Sequence, residues 1–185
     1  IEIDASGTLT LNGGGVDAYA QIGHGGFQNN GAHGVAGDKI DVTATGGVSL
    51  NGAGTRAYAQ IGNGGMGGSV AGNTQGNIIL DTDGTLTLMS GGNTDAYTQV
   101  GHGGSQRYGD HGAAGEMISV TADAGISLTG VGTEAYSQIG SGGFGGTIAG
   151  DIRGNIIVDT GGMLTLLSGG TDAYTQVGHG GSLRI

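Results

Sequence analysis

Short runs in which apolar and polar residues alternate recur along the whole chain. One set comprises Ile1-Glu-Ile-Asp-Ala5, Ile40-Asp-Val-Thr-Ala44, Ile78-Ile-Leu-Asp-Thr82, Ile118-Ser-Val-Thr-Ala122 and Ile156-Ile-Val-Asp-Thr160. A period of two with β-branched residues on one phase predicts strands with Ile and Val inward. After a glycine-containing turn a second set follows: Thr8-Leu-Thr-Leu11, Val48-Ser-Leu50, Thr85-Leu-Thr-Leu88, Ile126-Ser-Leu128 and Leu164-Thr-Leu166. Here leucine supplies the buried phase. A third run begins at Ala18, where Ala18, Ala20 and Ile22 alternate with Tyr19, Gln21 and Gly23. The small set is expected to face inward, leaving Tyr and Gln outside, although alternation alone does not fix the sign.

The third run belongs to a block that returns five times. Its tyrosines are Tyr19, Tyr58, Tyr97, Tyr136 and Tyr174, at steps of 39, 39, 39 and 38 residues, and its glutamines are Gln21, Gln60, Gln99, Gln138 and Gln176. The repeat units are 1–38, 39–77, 78–116, 117–155 and an incomplete 156–185. Each ends in a glycine-rich connection of one of two kinds. Units one and three carry Phe27–Asp38 and Ser105–Glu116, with His33 and His111 near the middle. Units two and four carry Met66–Asn77 and Phe144–Asn155, sharing Gly-Gly-Ser/Thr-Val/Ile-Ala-Gly, so the full period is 78 residues. Three short strands per 39 residues, without a helical pattern, predict an all-β parallel β-helix, or β-solenoid, with one coil per unit. Two smaller coils per unit is the alternative. Identical positions then stack into ladders about 4.8 Å apart, and the glutamines are expected to exchange amide hydrogen bonds along the stack.

Composition supports this reading. Among 185 residues there are 47 glycines, no proline and no cysteine, with 36% hydrophobic and 11% charged residues. Collagen would need proline and glycine at every third position, and disorder would need higher charge. The formal net charge of −10 argues against nucleic acid and anionic membranes as partners. No apolar run is long enough to insert into a membrane. The chain opens on Ile1 without a signal peptide, as an excerpt or a processed product would. Without cysteine there is no disulfide framework or thiol chemistry.

Several positions are candidates for chemistry. Asp17, Arg56, Asp95, Glu134 and Asp172 share one rung. Arg56 can bridge its neighbours, whereas Asp95, Glu134 and Asp172 would repel, and a calcium ion would relieve that. Solvated carboxylates screened by salt are the plainer alternative. His24, His102 and His179 alternate with Asn63 and Ser141, as metal ligands or as turn residues that tolerate either type. Parallel β-helices also host carbohydrate-active enzymes with clustered carboxylates, but Lys39, Arg56, Arg107, Arg153 and Arg184 are scattered and no unique loop interrupts the repeat. Thr8-x-Thr10 and Thr85-x-Thr87 hint at an ice-binding array, broken by Ser49 and Ser127. The tyrosines would pack on a neighbouring rod or on sugar rings if outside; the alternative places them beneath the glycine-rich connection.

The Ile-x-Val-x-Ala and Gly-Val-x-Leu-x-Gly runs at Ile40–Ala44 and Gly47–Gly52, with the block Ala18–Gly26, resemble the passenger regions of large bacterial exoproteins of the filamentous haemagglutinin and adhesin type. That resemblance implies a right-handed β-helix, export to the cell surface, and adhesive or matrix roles. The expectation is therefore a non-catalytic rod in a secreted extracellular fibre or giant adhesin. It would associate with itself end to end or laterally, with a surface glycan or receptor as a further partner. A calcium-stabilised adhesin module and a β-helical carbohydrate-active enzyme are the alternatives.

Overall fold

The protein is described here by a computed structural model covering residues 1–28, 31–67, 72–105, 111–145 and 151–181. The Gly-Gly-Ser/Thr-Val/Ile-Ala-Gly segments for the most part, together with Arg107 and Arg184, lie outside the described residues. Those described contain no helix, and hence none long and apolar enough to cross a membrane.

Fifteen strands among the described residues form three parallel sheets, each taking one strand from every repeat unit. The first wall stacks β1 (Glu2–Ala5), β4 (Lys39–Ala44), β7 (Asn77–Thr82), β10 (Met117–Ala122) and β13 (Asn155–Thr160). In the second wall β2 (Thr8–Gly13), β5 (Gly47–Gly52), β8 (Thr85–Ser90), β11 (Gly125–Val131) and β14 (Met163–Gly169) lie in the same order. β3 (Tyr19–Ile22), β6 (Tyr58–Ile61), β9 (Tyr97–Val100), β12 (Tyr136–Ile139) and β15 (Tyr174–Val177) make the third. Tyr19 pairs with Tyr58, Tyr58 with Tyr97, Tyr97 with Tyr136 and Tyr136 with Tyr174. The chain is a β-solenoid with one coil per 39-residue unit.

Three apolar ladders meet along its axis. Ile3, Val42, Leu80, Val120 and Val158 come from the first wall, and Leu11, Leu50, Leu88, Leu128 and Leu166 from the second. Ile22, Ile61, Val100, Ile139 and Val177 come from the third. The interior coils bury these side chains completely or nearly so, at about 1.5–3 kcal/mol for each large one.

Two expectations need correction. The third wall has no outer polar face: Tyr58, Tyr97, Tyr136, Gln60, Gln99 and Gln138 are all 0% exposed. The physical reason is a second core, in which the tyrosines pack with Met66 and Phe144 on the side of β6, β9 and β12 away from the main core. Gly65, Gly104 and Gly143, which follow these strands, lie against the tyrosine hydroxyls on that side. Tyr19, in the first coil, remains half exposed.

The described parts of the glycine-rich segments also pair between coils. Gly25, Gly64 and Gly103 bridge in parallel from coil to coil, as do His33, Thr74, His111 and Ile152. From glycine to bridge the chain takes eight residues in odd coils (25 to 33, 103 to 111) and ten in even ones (64 to 74, 142 to 152). From bridge to the next strand it takes six (33 to 39) and three (74 to 77) respectively. Odd and even coils thus differ in the length of chain between the bridge and the next strand, so the 78-residue period has a counterpart among the described residues.

Candidate functional site

The tyrosine rungs are the largest aligned feature. Adjacent ring centroids lie 5.1, 4.7, 4.9 and 5.0 Å apart, with interplanar angles of 9° or less. The strand spacing imposes this face-to-face stack, because in-register identical residues must repeat at the backbone pitch. Each hydroxyl reaches under the second glycine of the Gly-Gly pair: a methyl added at Gly65, Gly104 or Gly143 would stand 2.8, 2.6 or 2.8 Å from the oxygen of Tyr58, Tyr97 or Tyr136. Burial pushes the Tyr136 hydroxyl well above the ordinary phenol range, with the neighbouring Tyr174 adding to the rise.

Beside the tyrosines, the glutamines act as staples between coils. Gln60 Nε2 donates to the carbonyls of Gly101 and Gly103 at 2.9 and 3.1 Å. Gln99 Nε2 donates to Gly140 and Gly142, both at 2.8 Å, and Gln138 Nε2 to Gly178 and Gly180, both at 2.9 Å. Gln21 follows the same scheme with Gly62 at 2.9 Å. The expected exchange between amides is the lesser contact, seen from Gln60 to Gln99 at 3.5 Å. Carbonyls in the glycine turn point along the axis and are the stronger acceptors within reach. In the last coil Gln176 turns to its own His179 carbonyl, at 3.0 Å.

The histidine rung forms another ladder. Each backbone N–H donates to the side chain in the next coil: His24 to Asn63 Oδ1 at 2.8 Å, Asn63 to His102 Nδ1 at 3.1 Å, His102 to Ser141 Oγ at 3.2 Å and Ser141 to His179 Nδ1 at 3.1 Å. Because Nδ1 accepts, the proton of His102 sits on Nε2, which donates to Gly76 O at 2.8 Å. His179 Nε2 similarly meets Gly154 O at 3.1 Å. Burial lowers the pKa of His102; the Gly76 carbonyl and the nearby Glu116 oppose this only in part. One rung on, His111 Nδ1 lies 2.7 Å from Thr74 Oγ1. His, Asn and Ser are interchangeable here because each presents an acceptor to the coil before it.

The acidic rung is a backbone corner. Asp17, Arg56, Asp95, Glu134 and Asp172 all have left-handed backbones, with φ of 57°, 52°, 59°, 58° and 56°. Asp17 N–H donates to Thr55 O, Arg56 to Thr94, Asp95 to Thr133 and Glu134 to Thr171, at 2.8–3.1 Å. Arg56 pairs with Asp17 through two hydrogen bonds, Nε to Oδ1 at 2.6 Å and Nη2 to Oδ2 at 2.8 Å. Among the described residues no three His, Asp or Glu side chains gather as a metal would require. Asp17, Asp95, Glu134 and Asp172 share this column with Arg56.

The other charges are dispersed. Lys39 pairs with Asp41 and Arg153 with Asp151, both at the surface. The crevice bounded by His24, Asp38, Lys39 and Asn63, between the glycine-rich lobe and the first wall, holds about 130 Å³. The equivalent crevice two coils on, beside His102 and Glu116, has no room for a water.

Comparisons of the chain with protein-family models, with curated proteins and with solved structures find no match.

Proposed function

We propose that the chain is a non-catalytic structural segment: a stiff β-solenoid rod of a secreted extracellular fibre or giant cell-surface adhesin, built to associate with other copies. The observation that carries this reading is the use of the chemically versatile side chains. In the interior coils Tyr, Gln and His102 are buried, and the glutamine amides and the His102 ring spend their nitrogens on the backbone of the neighbouring coils. Groups committed in this way add stiffness, and they are withdrawn from any external ligand. The resemblance to passenger regions of the filamentous haemagglutinin type points the same way, toward export and an adhesive or matrix role. A surface glycan or receptor would then be met by the outer walls.

The test is a paired assay on the intact 185-residue protein. It is challenged with a broad-specificity protease beside a denatured control, then incubated with a panel of bacterial and host polysaccharides. The structural reading expects fragments that keep all three walls, and no new reducing ends or unsaturated products. Polysaccharide cleavage that disappears when a single carboxylate is replaced would overturn it in favour of a carbohydrate-active enzyme. A fall in melting temperature on adding a chelator would establish the calcium-stabilised variant.

A further inference from the structure

Charge is absent from one wall. The strands of the second wall read Thr-Leu-Thr-Leu-Asn-Gly, Gly-Val-Ser-Leu-Asn-Gly, Thr-Leu-Thr-Leu-Met-Ser, Gly-Ile-Ser-Leu-Thr-Gly-Val and Met-Leu-Thr-Leu-Leu-Ser-Gly, without an ionisable residue. The first wall, by contrast, presents Glu2, Asp4, Asp41, Asp81 and Asp159. Turn residues Asp83 and Asp123 mark one border of the uncharged wall, and the charged corner column of Asp17, Arg56, Asp95, Glu134 and Asp172 marks the other. Outward positions of the second wall form an unbroken hydroxyl column: Thr10, Ser49, Thr87, Ser127 and Thr165. Beside it stand exposed Met89 (46%), Val131 (44%), Met163 (77%) and Leu167 (58%).

We propose that the outer face of the second wall is the surface through which two copies of this chain pack side by side. This rests on the self-associating-rod reading and names the contact that reading leaves open. Three features select a second copy as the occupant. Chains of net charge −10 repel one another, and that repulsion is least where uncharged faces meet. A centre depleted of charge within a polar rim is the usual anatomy of a protein interface. The hydroxyl column repeats at the strand pitch, and a two-fold related copy presents the same pitch. Each hydroxyl both donates and accepts, so the column is complementary to itself. Five strands about 4.8 Å apart and about 20 Å long give a footprint of roughly 500 Å² per copy. The total of roughly 1,000 Å² is at the weak end for specific association, so this length should dimerise only when concentrated, and longer arrays more firmly.

The test is sedimentation velocity on the intact protein from low micromolar to millimolar concentration at two salt levels. Wild type is expected to show a reversible monomer–dimer equilibrium that strengthens with salt. The pair Thr87→Lys and Ser127→Lys is expected to weaken it at least tenfold, and Met89→Lys alone to do so if the pair folds poorly. The matched pair Thr43→Lys and Thr121→Lys places the same two charges on the first wall and should leave dimerisation intact. Both pairs bring the net charge nearer zero, so a loss confined to the second-wall pair cannot come from long-range repulsion. A protein that stays monomeric throughout overturns the proposal; retention of that monomer on insoluble polysaccharide would assign the wall to a glycan surface instead. Dimerisation that ignores the second-wall substitutions would also overturn it, while leaving the rod reading standing. Polysaccharide cleavage, which would sink that reading, is scored in a separate assay.

Discussion

Gly101 and Gly7 lack a side chain in very different surroundings. A methyl group on Gly101 would stand 1.9 Å from the Gly140 carbonyl oxygen in the next coil, whereas one on Gly7 would meet nothing within 4 Å. Gly101→Ala is expected to cost about 3 kcal/mol, since relief requires two stacked coils to separate. The melting temperature should fall by about 6–12 °C, while Gly7→Ala stays within about 0.5 kcal/mol of wild type; thermal melts of the two variants decide this. His102 sets a different test, because its neutral form is built into the fold. Its pKa is lowered in the folded state, so the unfolded chain binds the proton more readily. Its contribution to stability is therefore complete above the unfolded value of about 6.5 and is lost progressively as the pH falls below it. Denaturant unfolding should show stability dropping between about pH 7 and pH 5, and His102→Asn should flatten that drop. Asparagine already occupies the same rung as Asn63, where its Oδ1 accepts the His24 N–H. An unchanged slope in the variant would show that other groups carry the acid response.

At the scale of one element, β9 shows how a strand with no solvent face is held. Ala57, Ala59 and Ile61 in the coil before it, and Ala135, Ser137 and Ile139 in the coil after it, are fully buried, and so are the tyrosines and glutamines between them. The inward column takes Thr98 and Ser137 because they satisfy each other, Oγ1 to Oγ at 2.8 Å, and Ser137 Oγ also donates to Thr129 O at 2.6 Å. On the other side Gln99 joins two glycine carbonyls of the following coil. Gln99→Leu keeps the bulk and removes the amide, leaving those carbonyls without that donor; a loss of about 1–3 kcal/mol is expected. Hydrogen exchange adds a positional readout: protection should fall first in the glycine-rich segments on both sides of the substitution, while β8 and β10 keep theirs. Uniform loss across all three walls would mean that the staple has no local role.

For the whole molecule, the two-coil period can be tested by deletion. Removing 39–116 takes out one complete pair, joining Asp38 to Met117 and keeping odd coils beside even ones. Removing only 39–77 sets coil one directly against coil three. The six-residue excursions after His33 and His111 then face each other, where the shorter even segment after Thr74 had left room. Stability in such arrays is close to a sum of coil and interface terms, so the shorter protein would ordinarily be the weaker. Here the two-coil deletion is expected to melt cooperatively and above the one-coil deletion, although it has fewer coils. The reverse order would show that the two kinds of segment are interchangeable.

The chain's own pattern determined the strands, the three apolar ladders and the 39-residue coil, because identical short strands that alternate at period two pair best with their own copies in register. What alternation could not decide was the sign of Tyr19-Ala-Gln-Ile22, since both sides of that strand are buried and no polar phase remains to mark solvent. One signal did point inward: Tyr, Gln and the three glycines of the block are invariant across all five copies, whereas the position between Tyr and Gln varies among Ala, Thr and Ser. The acidic rung was legible only in part, for a related reason. A left-handed corner is most easily read from glycine, and here Asp, Arg and Glu adopt it, so their charge was legible and their backbone role was not. Folding of the glycine-rich segments over the third wall was decided only in three dimensions: that closure needs carbonyls aimed along the axis, and their partners lie 41 to 43 residues away for Gln60 and Gln99.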